Sequence, residues 1–160
     1  MSNKFDFVSA TDKPALLAFS TPEWLDAAKT ALGELGYKVH TAATHSDFVI
    51  RFSQIRYQVV VIEELFAANQ LSENLTLQAI QAMPMKQRRH STLILFGDSF
   101  QTFTPMQAFQ QSVHAVINYS EWSLLGQLLE KIVAENDLFL ATYRQTLVRV
   151  AQGRTQGARH

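Results

Sequence analysis

Residues 57–66 read YQVVVIEELF, and Val59 to Ile62 at their centre are four consecutive β-branched residues. Branching at Cβ packs well on a pleated backbone and less well in a helix, so the run reads as a strand. It is apolar at every position instead of alternating, so both faces of that strand need covering. A parallel sheet with helices on either side provides this, and Val59 to Ile62 then form a central strand.

The flanking sequence supplies the layers. Pro14 to Phe19 (PALLAF) is another continuous apolar run of strand length. Ser20-Thr21-Pro22-Glu23 follows, with Ser20 and Glu23 at capping-box spacing and Pro22 suited to a first helical turn. Trp24, Leu25, Ala28, Ala31, Leu32 and Leu35 recur at helical spacing, and Gly36 is placed to end that helix. Tyr37 to Ala42 reads as a second strand, and Phe48, Phe52 and Ile55 as one face of a second helix. Leu75 to Met83 gives a third helix that stops at Pro84, and Thr92 to Phe96 a fourth strand. Thr104-Pro105 opens a helix containing Met106, Phe109 and Val113; Ala115 to Ile117 is a short fifth strand; Ser120-Glu121 opens the final helix. Five strands alternating with five helices through short connections imply successive βαβ units, hence an α/β domain with a parallel sheet.

Composition narrows the function classes. The chain of 160 residues has no cysteine, which excludes disulfides, thiolate metal sites and cysteine nucleophiles. Lys plus Arg and Asp plus Glu both number 14, a balance that argues against nucleic acid or an anionic membrane as partner. No stretch approaches the roughly 18 apolar residues of a membrane span. The expected location is cytoplasmic. The expected organisation is a polar N-terminal tail over 1–12, one domain over 13–152 and a flexible tail over 153–160.

The βα units, their lengths and the GYKV that opens the second strand (Gly36 to Val39) resemble the receiver domain of response regulators, over roughly residues 13–134. The resemblance implies a flavodoxin-like, three-layer fold with a five-stranded parallel sheet in the order 2-1-3-4-5 and an extended C-terminal helix. MPMKQRRH (Met83 to His90), LILFGDSF and ENDLFLATYRQTLVRV look like bacterial pseudo-receivers sometimes found behind a zinc ribbon; this chain has no cysteine for one. A working receiver carries an acidic pair after its first strand, where Phe19 and Ser20 stand here. Its phospho-accepting Asp corresponds to Glu63, its Ser or Thr after the fourth strand to Phe96, and its Lys after the fifth to Asn118, followed by Tyr119. Phosphoryl transfer needs Mg²⁺ held by carboxylate oxygens, and neither Phe19 nor Ser20 provides one. Asn118 lacks the positive charge of Lys, Phe96 lacks the hydroxyl, and Glu63 is one methylene too long. The resemblance is therefore to a pseudo-receiver.

Other candidates carry two readings each. Glu63, Glu64 and Asp98 lie at the carboxyl edge of the sheet, where open α/β folds place ligands. They are either a divalent-cation or small-ligand site or solvated loop acids. Lys86, Arg88, Arg89 and His90 form a compact basic run: an anion contact, or a solvated turn whose arginines cap and pair locally. His40, His45, His90, His114 and His160 contain no i, i+4 pair for a helical metal site. Neither a Gly-rich phosphate loop nor a GxSxG elbow occurs, and nothing gives Ser20 or Ser99 a His and an acid, so no enzyme, cofactor or metal is implied.

From Glu121 to Gln152 there is no Pro, enough for a helix of about 48 Å. Leu124 to Val133 suffices to cover the sheet, yet Leu138, Phe139, Tyr143, Leu147 and Val150 continue the apolar stripe without a sustained heptad. That stripe is either an interface for a dimer or partner, or a segment folded back after a break at Asn136-Asp137. By resemblance a second surface would include Met106, Phe109, Gln110, Tyr119 and Trp122. The leading expectation is a non-catalytic signalling or scaffolding module that contacts an unknown protein partner and dimerises. The alternative is a small-ligand or divalent-metal sensor at the acidic edge.

Overall fold

β3 (Val59–Glu63) is buried at every position and pairs in parallel with β1 (Pro14–Ala18) on one side and β4 (Thr92–Gly97) on the other. β2 (Lys38–Ala42) lies outside β1 and β5 (Ala115–Asn118) outside β4, giving a five-stranded parallel sheet of order 2-1-3-4-5. The computed structural model that shows this describes residues 8–157, without the side chains of 139–144 and 153–157. The helices are α1 (Pro22–Glu34), α2 (His45–Gln54), α3 (Leu75–Ala82), α4 (Met85–Arg88), α5 (Pro105–Gln110) and α6 (Leu125–Gly157). Short 3₁₀ segments cover Leu71–Glu73 and Tyr119–Leu124.

Alternate side chains along each strand feed two cores, as the two-residue period of a strand requires. Leu16, Val60, Ile62, Leu93 and Leu95 meet Phe48 and Phe52 of α2 and Leu77 and Ile80 of α3. Leu17, Val59, Val61, Ile94 and Phe96 meet Ala28 and Leu32 of α1 and Leu125, Leu129 and Ile132 of α6. The three-layer arrangement is thus the one the apolar strand runs demand.

Local signals account for most helix ends. Gly36 (φ +88°) takes the left-handed conformation after α1. Thr44 Oγ1 accepts from the Asp47 amide (3.0 Å) to start α2, and Asn74 Oδ1 from the Leu77 amide (3.0 Å) to start α3. Two expectations are corrected, and one of two open alternatives for the last helix is decided. Neither Ser20 nor Thr21 caps α1 through its side chain, because both hydroxyls are engaged elsewhere. Lys86 and Arg88 of the basic run lie in the short helix α4, with Arg89 and His90 after it, so six α-helices, not five, occur among the described residues. The final helix does not break at Asn136-Asp137: α6 is a single element of 33 residues, preceded by the 3₁₀ segment.

Leu125, Leu129, Ile132 and Asn136 are the buried positions of α6 among the described side chains, and Asn136 Nδ2 donates to Thr92 Oγ1 at 2.6 Å. Past that bond Leu147, Val148 and Val150 are exposed, so the distal half of the helix is not folded back as a core element. Phe139 and Tyr143 lie in the same helix, and their side chains are outside the described residues. No described helix is long and apolar enough to cross a membrane.

Candidate functional site

The crevice at the carboxyl ends of β1 and β3 is where the strand order of this parallel sheet reverses, the place where open α/β sheets hold ligands. Glu63, the last residue of β3, is buried there and reaches across to the loop between β1 and α1. Its Oε2 accepts from the backbone amides of Ser20 (2.5 Å) and Thr21 (3.1 Å), and its Oε1 from the Thr21 hydroxyl (2.5 Å). The carboxylate therefore caps α1 from outside, with its charge at the positive end of that helix. This is why the Thr21 hydroxyl donates to Glu63 instead of accepting within its own helix.

Glu64, also buried, turns to the other side. Its Oε2 accepts from the amides of Asp98 (3.0 Å) and Ser99 (3.2 Å) in the loop after β4. The approach needs Gly97: a Cβ there would stand 2.5 Å from Glu64 Cβ. Asn74, fully buried, donates through Nδ2 to the carbonyls of both Glu63 (3.1 Å) and Glu64 (3.0 Å), fixing the pair from behind. Ser20 Oγ accepts from the amide of Ala67, whose φ of +47° marks a tight turn (2.7 Å). The Thr76 amide donates to His45 Nδ1 (3.0 Å), so the hydrogen of that ring sits on Nε2 and points to the Ala67 carbonyl (3.2 Å).

Aromatic rings fill the adjoining volume. Phe19 and Phe96 are buried with centroids 5.7 Å apart, Trp24 meets Phe96 edge-on at 5.6 Å, and Tyr119 stacks on Trp24 at 4.4 Å. The Asp98 charge beside Tyr119, helped by burial, holds its hydroxyl above the ordinary tyrosine range. Asn118 works as a loop tie: Nδ2 donates to the carbonyls of Phe100 (2.8 Å) and Asp98 (3.2 Å), and Oδ1 accepts from the Ser120 amide (2.9 Å).

Glu63, Phe19, Ser20, Phe96 and Asn118 are thus brought to one edge, where Trp24, Thr21 and Asn74 join them. Asn74 was within reach of sequence reasoning, since an Asn directly before the Leu75 helix is a capping signal. The set of Glu63, Glu64 and Asp98 does not converge. The two glutamates point to different loops, and no group of three His, Asp or Glu suited to a metal occurs among the described residues.

The proposed contact residues do not form one surface. Met106 and Phe109 (80% exposed) lie on α5, with Phe109 lining a cleft beside Met85 and Gln110. Trp122 (52% exposed) lines a different cleft, between α1 and α6, with Ala27 and Glu130. Leu147 (51% exposed) is on the distal part of α6. The basic run divides too: Arg88 Nη1 donates to the carbonyls of Ile80 (3.0 Å) and Ser112 (3.3 Å), a structural tie, whereas Lys86 and His90 face another cleft. His40 pairs with the Tyr57 hydroxyl (2.8 Å), His114 Nδ1 accepts from the Leu93 amide (2.8 Å), and His160 is outside the described residues.

The fold is similar to that of solved response regulators. The CheY-like response regulator receiver domain protein of Methanospirillum hungatei superposes with a TM-score of 0.61 at 16% identity, covering 79% of this chain and 98% of its own. The chemotaxis response regulator CheY4 of Vibrio cholerae gives 0.58 at 14% identity, over 76% and 99%. NtrX of Brucella abortus gives 0.63 at 14% identity and covers 84% of this chain, which spans only 29% of NtrX. The sequence matches no family model and no curated protein. The chain has the CheY-like receiver fold. At these identities the likeness is one of fold, and the side chains at its carboxyl edge are this chain's own.

Proposed function

We propose that this chain is a pseudo-receiver: a non-catalytic signalling module that is not phosphorylated by the Asp/Mg²⁺ route and acts by contacting other protein chains. The observation that carries the reading is Glu63. Its carboxylate takes three hydrogen bonds from Ser20 and Thr21, the loop from which a receiver would present its metal-binding acids. An attacking carboxylate needs free oxygens and a cation to neutralise the phosphoryl group. Here both oxygens are engaged, and Phe19 and Ser20 supply no carboxylate. The edge is held in one state by its own side chains.

Contact with other chains is supported by apolar side chains left in water: Met106 and Phe109 on α5, and Leu147, Val148 and Val150 on α6. Distal α6 serves in this reading as a pairing element for a second copy. Intact mass after acetyl phosphate and Mg²⁺ tests the first half of the reading: the mass stays unchanged, and an added phosphoryl group on Glu63 refutes it. Light scattering tests the second half: the full chain is dimeric and the Leu147→Asp, Val150→Asp variant monomeric, whereas a monomeric parent refutes pairing through α6.

A further inference from the structure

Behind the basic run lies a cleft of about 570 Å³ at the opposite, amino-terminal end of the sheet, between the end of α2 and the turn from α3 into α4. Arg56, Lys86 and His90 line it and no carboxylate does; its apolar wall is Phe52, Ile55 and Met83. Two positive side chains and an imidazole facing one space without an acid repel one another, so an anion placed among them relieves that repulsion. His90 carries the second observation. Its ring stacks on Phe52 (5.7 Å between centroids, 24° between planes), and both of its ring nitrogens are covered yet have no hydrogen-bond partner. A buried polar atom left unpaired is costly, and a ligand atom that reaches it removes that cost. Burial and the charge of Arg56 hold the His90 ring below its ordinary pKa, in the direction an incoming anion reverses.

We propose that this cleft binds a small phosphate-bearing molecule. Arg56 and Lys86 take the phosphoryl oxygens, and a turn of the His90 ring on Phe52 uncovers a nitrogen that donates to them. Phe52 with Ile55 and Met83 cover a planar or apolar body. The volume falls within the range of small-molecule sites, about 300–1,000 Å³, and exceeds what a lone phosphate needs. The site is separate from the Glu63 edge, so the two readings stand or fall independently.

The test uses the full chain with AMP and inorganic pyrophosphate as probes, at constant ionic strength adjusted with sodium chloride. AMP at a hundredfold excess over its dissociation constant raises the melting temperature by about 5–10 °C and moves the His90 ring resonances. Arg56→Gln with Lys86→Gln abolishes both effects. Both residues are exposed, so the variant keeps its fold, and its melting temperature without probe matches the parent's. Three results overturn the proposal: no shift with either probe at millimolar concentration, an equal shift in the double variant, or a shift that chloride alone reproduces. Binding of a single-stranded oligonucleotide without binding of AMP or pyrophosphate also overturns it and assigns the surface to nucleic acid.

Discussion

Replacing Glu63 by Gln, Asp and Ala separates the charge of the carboxylate from its reach. In Glu63→Gln the amide oxygen can take over the Ser20 and Thr21 amides, now accepted at 2.5 and 3.1 Å, while the new NH₂ donates to the rotated Thr21 hydroxyl. Every partner stays satisfied, and only the charge contribution to two backbone bonds is lost, about 1–2 kcal/mol. Glu63→Ala leaves two amides and a hydroxyl without an acceptor beside a buried wall. At about 1–3 kcal/mol for each amide, less what entering water returns, the cost is about 4 kcal/mol. Glu63→Asp keeps the charge but is shorter by one C–C bond, about 1.5 Å, so it costs nearly as much as Ala. For a domain of this size about 4 kcal/mol corresponds to roughly 8–16 °C in melting temperature. Urea unfolding of the four proteins measures the order, parent > Gln > Asp ≥ Ala. An Ala variant within 1 kcal/mol of the parent, or an Asp variant more stable than Gln, refutes the claim that Glu63 fastens the β1–α1 loop.

Gly97→Ala forces its Cβ against Glu64 Cβ and displaces the carboxylate from the Asp98 and Ser99 amides; urea unfolding shows a loss of about 3 kcal/mol. Asn136→Ala removes the bond to Thr92 and lowers stability by about 1–3 kcal/mol, whereas Leu147→Asp, on the exposed stretch of the same helix, stays within about 0.5 kcal/mol in the monomer; thermal unfolding of dilute samples separates them. His90 has a lowered folded-state pKa, so below pH of about 6.5 the unfolded chain takes up a proton that the folded one refuses. Stability falls as pH drops through that window and levels off below the folded-state value. His90→Phe flattens this portion of the curve of unfolding free energy against pH.

The sheet was legible because its evidence is local. Val59 to Ile62, Leu93 to Phe96 and Pro14 to Phe19 are apolar throughout, and a strand covered on both faces accommodates such runs. α4 was missed because the four residues after Pro84 contain a single apolar side chain, Met85, and so no apolar period. The choice between a continuous last helix and a break at Asn136-Asp137 stayed open because polarity does not say which way Asn136 faces; it faces inward and spends its amide on Thr92. At the carboxyl edge the sequence placed Glu63, Phe19, Phe96 and Asn118 correctly but not their partners. That Thr21 would donate its hydroxyl to a residue 42 positions away, or that Trp24 would lie under Tyr119, depends on tertiary packing that no spacing encodes.

An unbroken α6 has a mechanical consequence. From Asp137 to Gly157 it advances about 30 Å beyond its bond to the sheet, as a rod whose azimuth is fixed at the root by Leu125, Leu129, Ile132 and Asn136. Whatever attaches at the tip is held at a set distance and a set angle from the sheet. Two residues inserted after Asp137 would turn that tip by about 200° while adding only about 3 Å, and seven would lengthen the rod with almost no turn. The helix is thus a ruler and a compass at once, and the two settings can be changed separately.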